Sequence, residues 1–417
     1  MNKYLLRTFL VLVASSVIFA QTGDRRIDNG LAATVELAKV IGNEDFKGTM
    51  GQLVKSVTPY LGMVGPAIGL MFSLLMREEK KQSPELMFMQ EMLAKIERRF
   101  DKIDKKLEII VQKITWGRVQ TQFFFYERKI KSLRLEFDKL YKYNGTKKSE
   151  LTSISDTFVK MYESSYENSG QLLYDHIVSG WSIFSTNLIK DAIQAFDYDR
   201  KKTQTFMLGL TELILAASQI EIAFNKLKHP YYLNVTEAKW RSQMFKMRQV
   251  LEAADRAFEK NPKILDVAIK NAKQILDVSK YKRYDIVVLE IYKKLKDKFY
   301  WRNWFVALYD AIGGDDKHSV RICNGTMTYS YNGFNLVLAS NPKSTPTLHY
   351  NAAMYILRSV PPMRPAKEIT NSLAHLLDCK NYSALGTIET NAHVYFAAER
   401  YRLVPIVRDY HWVFLFQ

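Results

Sequence analysis

A sustained four-three alternation of apolar residues commits the first third of the chain to long helix. Ile96, Phe100, Ile103, Leu107, Ile110 and Ile114 form one seam, and Trp116, Val119, Phe123, Tyr126, Ile130, Leu133, Phe137 and Leu140 form the next. This spacing keeps a stripe on one side of an α-helix, as in a coiled coil; a strand would need alternation at every second residue. The phase shift falls beside Gly117 and reads as a stutter within one helix. Ser83-Pro84 supplies a cap and a first-turn proline, with Glu85 near the positive end of the helix dipole. One helix, or two nearly coaxial ones, is expected over 84–142.

Further periodic stretches at 172–196, 203–227, 237–258 and 264–298 suit amphipathic bundle helices, with breaks at His229-Pro230 and Asn261-Pro262. Near Tyr300 the composition changes. Phe299, Tyr300, Trp301, Trp304 and Phe305 read as a packed aromatic junction that leads into an apolar turn over 306–309. Beyond it, 326–331 and 334–339 flank Asn332-Gly333, a residue pair suited to a two-residue hairpin turn. Short helices are expected near 352–357 and 367–377, and strands at 394–403 and 412–416.

The expected fold class is therefore mainly α: an elongated helical bundle with an apolar hairpin and a long coiled-coil-like helix, plus a small α+β carboxy-terminal module. A chain of 417 residues exceeds the usual size of one core. Its expected divisions are a signal peptide at 1–20, amino-terminal helices with the apolar segment at 21–82, a helical bundle at 83–300 and the α+β module at 301–417.

The signal-peptide reading rests on Lys3 and Arg7, followed by an uncharged run from Phe9 that ends in Ile18-Phe19-Ala20. That apolar run is shorter than the roughly 20 residues that span a bilayer. Behind it stand four Asn-x-Ser/Thr sequons, at Asn144, Asn234, Asn324 and Asn381, each expected on the surface of a secreted glycoprotein. Cys323 and Cys379 are the two cysteines; an oxidising compartment favours a bond between them, and two buried thiols are the alternative.

The formal net charge is +17, and residues 1–20 hold two of those positive charges and no negative one. A basic secreted chain favours acidic glycans or anionic lipid headgroups, and nucleic acid is not an expected partner outside the cell. Part of the excess lies between Arg77 and Lys148, where 19 basic residues face 11 acidic ones. A solvated helix face is the ordinary source of such a run.

Ser56 to Met76 contains no charge over 21 residues. Its length suffices to cross about 30 Å of hydrocarbon as a helix, yet Pro59, Gly62, Gly65, Pro66 and Gly69 argue against a straight rod. Gly65-Pro66 reads as the tip of a hairpin, with Leu61 and Val64 on one arm and Ile68, Leu70 and Phe72 on the other. Two readings stand: a permanently buried core hairpin, or arms that leave the bundle for lipid. Lys55, Arg77, Lys80 and Lys81 flank the segment and fit headgroup contact or ordinary surface.

Chemistry-bearing patterns are sparse. His375 and Cys379 stand four apart on an expected helix, but a metal site needs three or four ligands. Asp315-Asp316-Lys317-His318 follows Gly313-Gly314 and suits an exposed turn. The GxxxxGK[ST], HExxH and GxSxG signatures are absent. No catalytic residue, metal ligand or cofactor is expected, and the chain reads as a non-enzyme.

Three blocks carry a family resemblance: Ile114 to Leu140 (ITWGRVQTQFFFYERKIKSLRLEFDKL), Tyr166 to Asp191 around GQLLYDHIVSG, and Tyr300 to Val320 (YWRNWFVALYDAIGGDDKHSV). The chain resembles the cephalotoxin-like and rapunzel-like secreted helical proteins of animals. The resemblance implies a secreted helical protein and transfers no functional residues. Some relatives are regarded as venom components, others as extracellular or skeletal-matrix constituents. Two functions follow as expectations. One is a membrane-active, pore-forming-type toxin or defence protein that inserts the apolar hairpin and assembles as a homo-oligomer on anionic membranes. The other is a matrix protein that binds acidic glycans or polymers without lysis.

Overall fold

The computed structural model describes residues 46–76, 118–143, 145, 147–178, 187–279, 283–347, 349–360 and 365–417, with single positions at 29, 32, 33, 36, 87, 90 and 105. The expected signal peptide, the start of the long helix at Pro84 and the Ile96 to Ile114 seam lie outside these residues. Two compact units divide the chain, Met1–Phe196 with Lys201–Arg256, and Asp197–Arg200 with Ala257–Gln417.

The first unit is helical. Its described elements are α1 (Phe46–Met76), α2 (Arg118–Tyr141), α3 (Lys148–Met161), a π turn over Tyr162–Tyr166, α4 (Ser169–Val178), α5 (Leu188–Ala195), α6 (Arg200–Lys228) and α7 (Leu233–Ala257). The second seam lines the inner face of α2 as its spacing demands: Ile130, Leu133, Phe137 and Leu140 are at most 1% exposed. Phe123 and Tyr126 pack half-buried against the same core. The outer face of α2 holds local ion pairs such as Glu127–Lys131 and Asp138–Lys142, so its charge is a solvated surface.

Local signals fix the helix ends. Asn187 caps α5 by accepting from the N–H groups of Ile189 and Lys190. Glu167 and Asn168 adopt left-handed backbone, φ 46 and 54, and turn the chain from the π turn into α4. His229-Pro230 stops α6, and a 3-10 turn over Pro230–Tyr232 leads into α7.

The second unit is built from α8 (Lys263–Val278), α9 (Tyr284–Lys298), β1 (Arg302–Asp310), β2 (His318–Ile322), β3 (Gly325–Tyr331), β4 (Phe334–Pro342), α10 (Tyr350–Ser359), α11 (Ala366–Leu376), β5 (Ala384–Glu389), β6 (Tyr395–Ala398), β7 (Leu403–Arg408) and β8 (His411–Phe416). The strands make two four-stranded sheets, ordered β3-β4-β1-β6 and β2-β5-β8-β7, with every pairing antiparallel.

β1 shows how the layers stack. Trp304, Val306 and Leu308 join the core shared with α8 and α9. Phe305, Ala307 and Tyr309 join Ile388, Phe414 and Phe416 of the second sheet. The far face of that sheet, through Leu385, Val404, Val413 and Leu415, is covered by Leu357 of α10 and Leu373 of α11. The order is helices, sheet, sheet, helices.

This arrangement corrects two expectations. The aromatic junction leads into the fully covered strand β1 and not into a turn over 306–309; buried on both faces, a strand loses the alternation that would mark it. The expected boundary at 300/301 moves to Ala257, because α8 and α9 bury Ile264, Val267, Val288 and Ile291 against β1. The hairpin forms where its turn chemistry requires, with Asn332 at φ 53 and Gly333 at φ 84, the two positive values of a type I′ turn.

Candidate membrane element and its socket

α1 runs unbroken over 31 residues, with Pro59 and Pro66 inside it, so the expected hairpin with its tip at Gly65-Pro66 does not form. A proline in a helix interior costs about 3 kcal/mol through a lost bond and a steric clash. The Pro66 ring also crowds the Cβ of the residue before it, and Gly65 has none. Packing does the rest: Tyr60, Leu61, Met63, Val64, Ile68 and Met71 are at most 3% exposed. Full burial of such a side chain contributes about 1.5–3 kcal/mol, so these six outweigh two prolines.

Of the residues expected in the hairpin, Leu61, Val64, Gly65 and Ile68 are buried, and Pro66 and Phe72 are half-buried. Phe72 packs on the bundle core. Leu70 is helical in its backbone, and its side chain is outside the described set. At 1.5 Å per residue, the uncharged stretch spans about 31 Å as one element, close to the hydrocarbon thickness.

On its glycine face α1 sits against α6 and α7, and α3 also packs on it. A Cβ added at Gly65 would lie 2.9 Å from Leu233 Cδ2, one at Gly62 2.9 Å from Arg241 Nη2, and one at Gly69 3.3 Å from Lys226 Cε. Glycine at these positions therefore sets how closely α1 approaches its neighbours. Gln219 of α6 donates to the Tyr60 hydroxyl, tying the helices through neutral groups. Arg241 pairs with Glu237 of its own helix at 3.3 Å.

α6 is itself long and apolar enough to cross a membrane, with an 18-residue window of mean hydropathy 1.5, of which 94% is buried. Its charges hold it in the bundle. Glu221 accepts from Trp240 Nε1 at 2.9 Å and from the Tyr166 hydroxyl at 3.3 Å, and pairs with Lys239 at 3.5 Å. Burial raises its carboxyl above the usual range, while Lys239, Trp240 and Tyr166 pull the other way. Glu212 pairs with Arg134 of α2 at 3.3 Å. Separating such a buried pair strands a charge and costs several kcal/mol, about 3–5. α1 carries no charge from Ser56 to Met76, so its departure strands none of its own there.

The remaining sequence candidates are dispersed, most of them in the second unit. Cys323 and Cys379 are bonded, with Cα atoms 5.5 Å apart, which takes Cys379 away from His375 as a metal ligand. Among the described residues no group of three or more His, Cys, Asp or Glu is placed to hold a metal. The 315–318 cluster is divided: Asp315 pairs with Lys367 at 2.5 Å, whereas His318 turns inward, 2.7 Å from the Tyr309 hydroxyl. Asn234 and Asn381 are exposed and Asn324 is half-buried; Asn144 lies outside the described residues.

Sequence reasoning missed the socket. Its single trace is the pair of acids, Glu212 and Glu221, inside the apolar run of α6; their partners come from α2, α4's approach and α7, which periodicity does not connect. Residues 79–282 match the family model described as the cephalotoxin-like middle helical domain. That match takes in the socket helices α6 and α7 and leaves α1 and the sheets outside it. No solved structure matches the chain. The chain thus carries the cephalotoxin-like middle helical domain at its centre, which supports the cephalotoxin-like family.

Proposed function

We propose that this is a secreted, non-enzymatic glycoprotein of toxin or defence type, in which α1 leaves its socket and enters anionic bilayers as a single helix. The observation that carries the reading is the continuous helix α1, uncharged from Ser56 to Met76 and seated by glycine contacts on its neighbours. The family match supports a toxin-like role. One helix per chain encloses no pore, so several copies assemble at the membrane. The helix replaces the two-armed hairpin as the inserting element.

A disulfide between α1 and α7 tests this. Leu233 Cγ lies 3.5 Å from where a Cβ at position 65 would be, and a cysteine sulfur occupies the γ position. Gly65→Cys with Leu233→Cys therefore places two sulfurs within reach of each other. The oxidised variant is expected to fold and to leave liposomes intact, and mild reduction is expected to restore dye release. Stapled protein that leaks as freely as native protein overturns insertion. Native protein that leaks no lipid composition leaves the alternative, a matrix protein that binds acidic polymers with α1 kept in the core.

A further inference from the structure

The corner between α6 and α7 leaves aromatic side chains in water. Leu233 turns inward onto Gly65, but Tyr231, Tyr232 and Val235 stand 73%, 54% and 65% exposed. The rings gather: Tyr231 and Tyr232 are 4.6 Å apart at their centroids, and His229 lies 6.0 and 6.3 Å from them. Behind them Phe224 stacks on Tyr162 at 3.8 Å, a firm base for an exposed tip. Lys226, Lys228 and Lys239 belong to the same stretch, whose one acidic residue, Glu237, is 2% exposed. Lys228 meets Glu163 at 3.6 Å with both groups about half exposed, an arrangement that holds a lysine weakly.

We propose that this corner is a docking surface for an anionic lipid bilayer, with Tyr231, Tyr232 and Val235 at the boundary between headgroups and acyl chains and Lys226 and Lys228 against lipid phosphates. Tyrosine is suited to that boundary, since its ring is apolar and its hydroxyl wet. The charge of the stretch complements an anionic leaflet. The tip projects from the junction of two helices with its rings exposed, which fits a broad, deformable partner. Because Leu233 and Lys226 also contact the glycine face of α1, docking here brings the socket to the membrane. The inference rests on the membrane-active reading and supplies the step before insertion. Asn234 lies within the same corner, so an oligosaccharide on it would cover the docking face.

The test uses the full chain with Asn234→Gln, which removes that sugar acceptor, and vesicles of phosphatidylcholine and phosphatidylserine in equal parts. Co-sedimentation measures docking, and dye release is recorded separately. Tyr231→Ser with Tyr232→Ser, and separately Lys226→Gln with Lys228→Gln, are expected to weaken binding about tenfold or more. Tyr355→Ser with Tyr410→Ser removes tyrosines that are 77% and 78% exposed in the second unit and is expected to change nothing. Lys226 is half-buried beside Gly69 and the other substituted residues are exposed, and thermal denaturation checks that each variant folds. Corner variants that bind like the parent, or a parent that binds no vesicle, overturn the docking surface. A parent that binds through the corner but never releases dye supports docking and overturns insertion alone.

Discussion

Leu233 of α7 fills the space that a side chain at Gly65 of α1 would need, with its Cδ2 and Cδ1 2.9 and 3.1 Å from the position of a Cβ. Gly65→Ala gains up to about 1 kcal/mol of helix propensity but forces Leu233 aside, and overpacking costs about 1–3 kcal/mol. The single variant is expected to be neutral to destabilised by about 2 kcal/mol. With Leu233→Ala already present, the same change is expected to stabilise. Denaturant unfolding of the four proteins of this cycle checks the sign; additive effects would mean the two residues do not touch.

Removal of the Glu221 carboxylate leaves the indole of Trp240 and the hydroxyl of Tyr166 without their acceptor. Glu221→Ala is expected to destabilise the first unit by about 1–3 kcal/mol. Chemical denaturation followed by far-ultraviolet circular dichroism, which reports the helices of the first unit, is the measurement.

Stability responds to acid with two opposed signs. Burial lowers His176 and His318 below their ordinary value of 6.5, so the unfolded chain takes up protons first and stability is lost as pH falls below 6.5. Glu221 is raised above its ordinary 4.5, so its ionisation opposes folding at neutral pH, and that penalty is relieved as pH falls through its folded value toward 4.5. Melting temperatures between these limits are expected to fall less steeply in His176→Gln and His318→Gln, and more steeply in Glu221→Gln. Parallel curves for all four proteins would contradict the assignment.

The bond between Cys323 and Cys379 joins residues 56 apart, and both lie in the second unit. Cys323→Ser with Cys379→Ser is expected to destabilise that unit by about 4 kcal/mol on the chain-entropy estimate. Calorimetry should show one transition lowered and the other in place.

Along α2, Ile130→Ala or Phe137→Ala is expected to cost about 2–5 kcal/mol. Leu135, 64% exposed on the same helix, should tolerate alanine within about 0.5 kcal/mol. Equal effects would mean that the buried face of α2 is misassigned.

Much of the fold was legible where local chemistry decides it. The four-three spacing placed Ile130 to Leu140 inward, Asn332-Gly333 named its turn, and His229-Pro230 ended α6. What local sequence hid was decided by tertiary contact. Gly65-Pro66 carries a break signal, but burial of Leu61, Val64 and Ile68 keeps the helix whole. β1 lacks alternation because helices cover one face and a sheet the other. The socket was illegible because Tyr60 and Gln219, which meet in it, are 159 residues apart.

The most direct measurement of α1 insertion is the environment of Phe72 when liposomes are added. The two native cysteines are bonded to each other, so Phe72→Cys supplies a single thiol for a nitroxide label at a half-buried site on the helix. Electron paramagnetic resonance with oxygen and a water-soluble nickel complex as relaxing agents reads lipid against water. On anionic liposomes, oxygen accessibility is expected to rise while nickel accessibility stays low, and the Gly65–Leu233 staple should abolish the rise. A label whose mobility and accessibilities remain those of the soluble protein, on vesicles to which the protein is bound, would contradict insertion of α1.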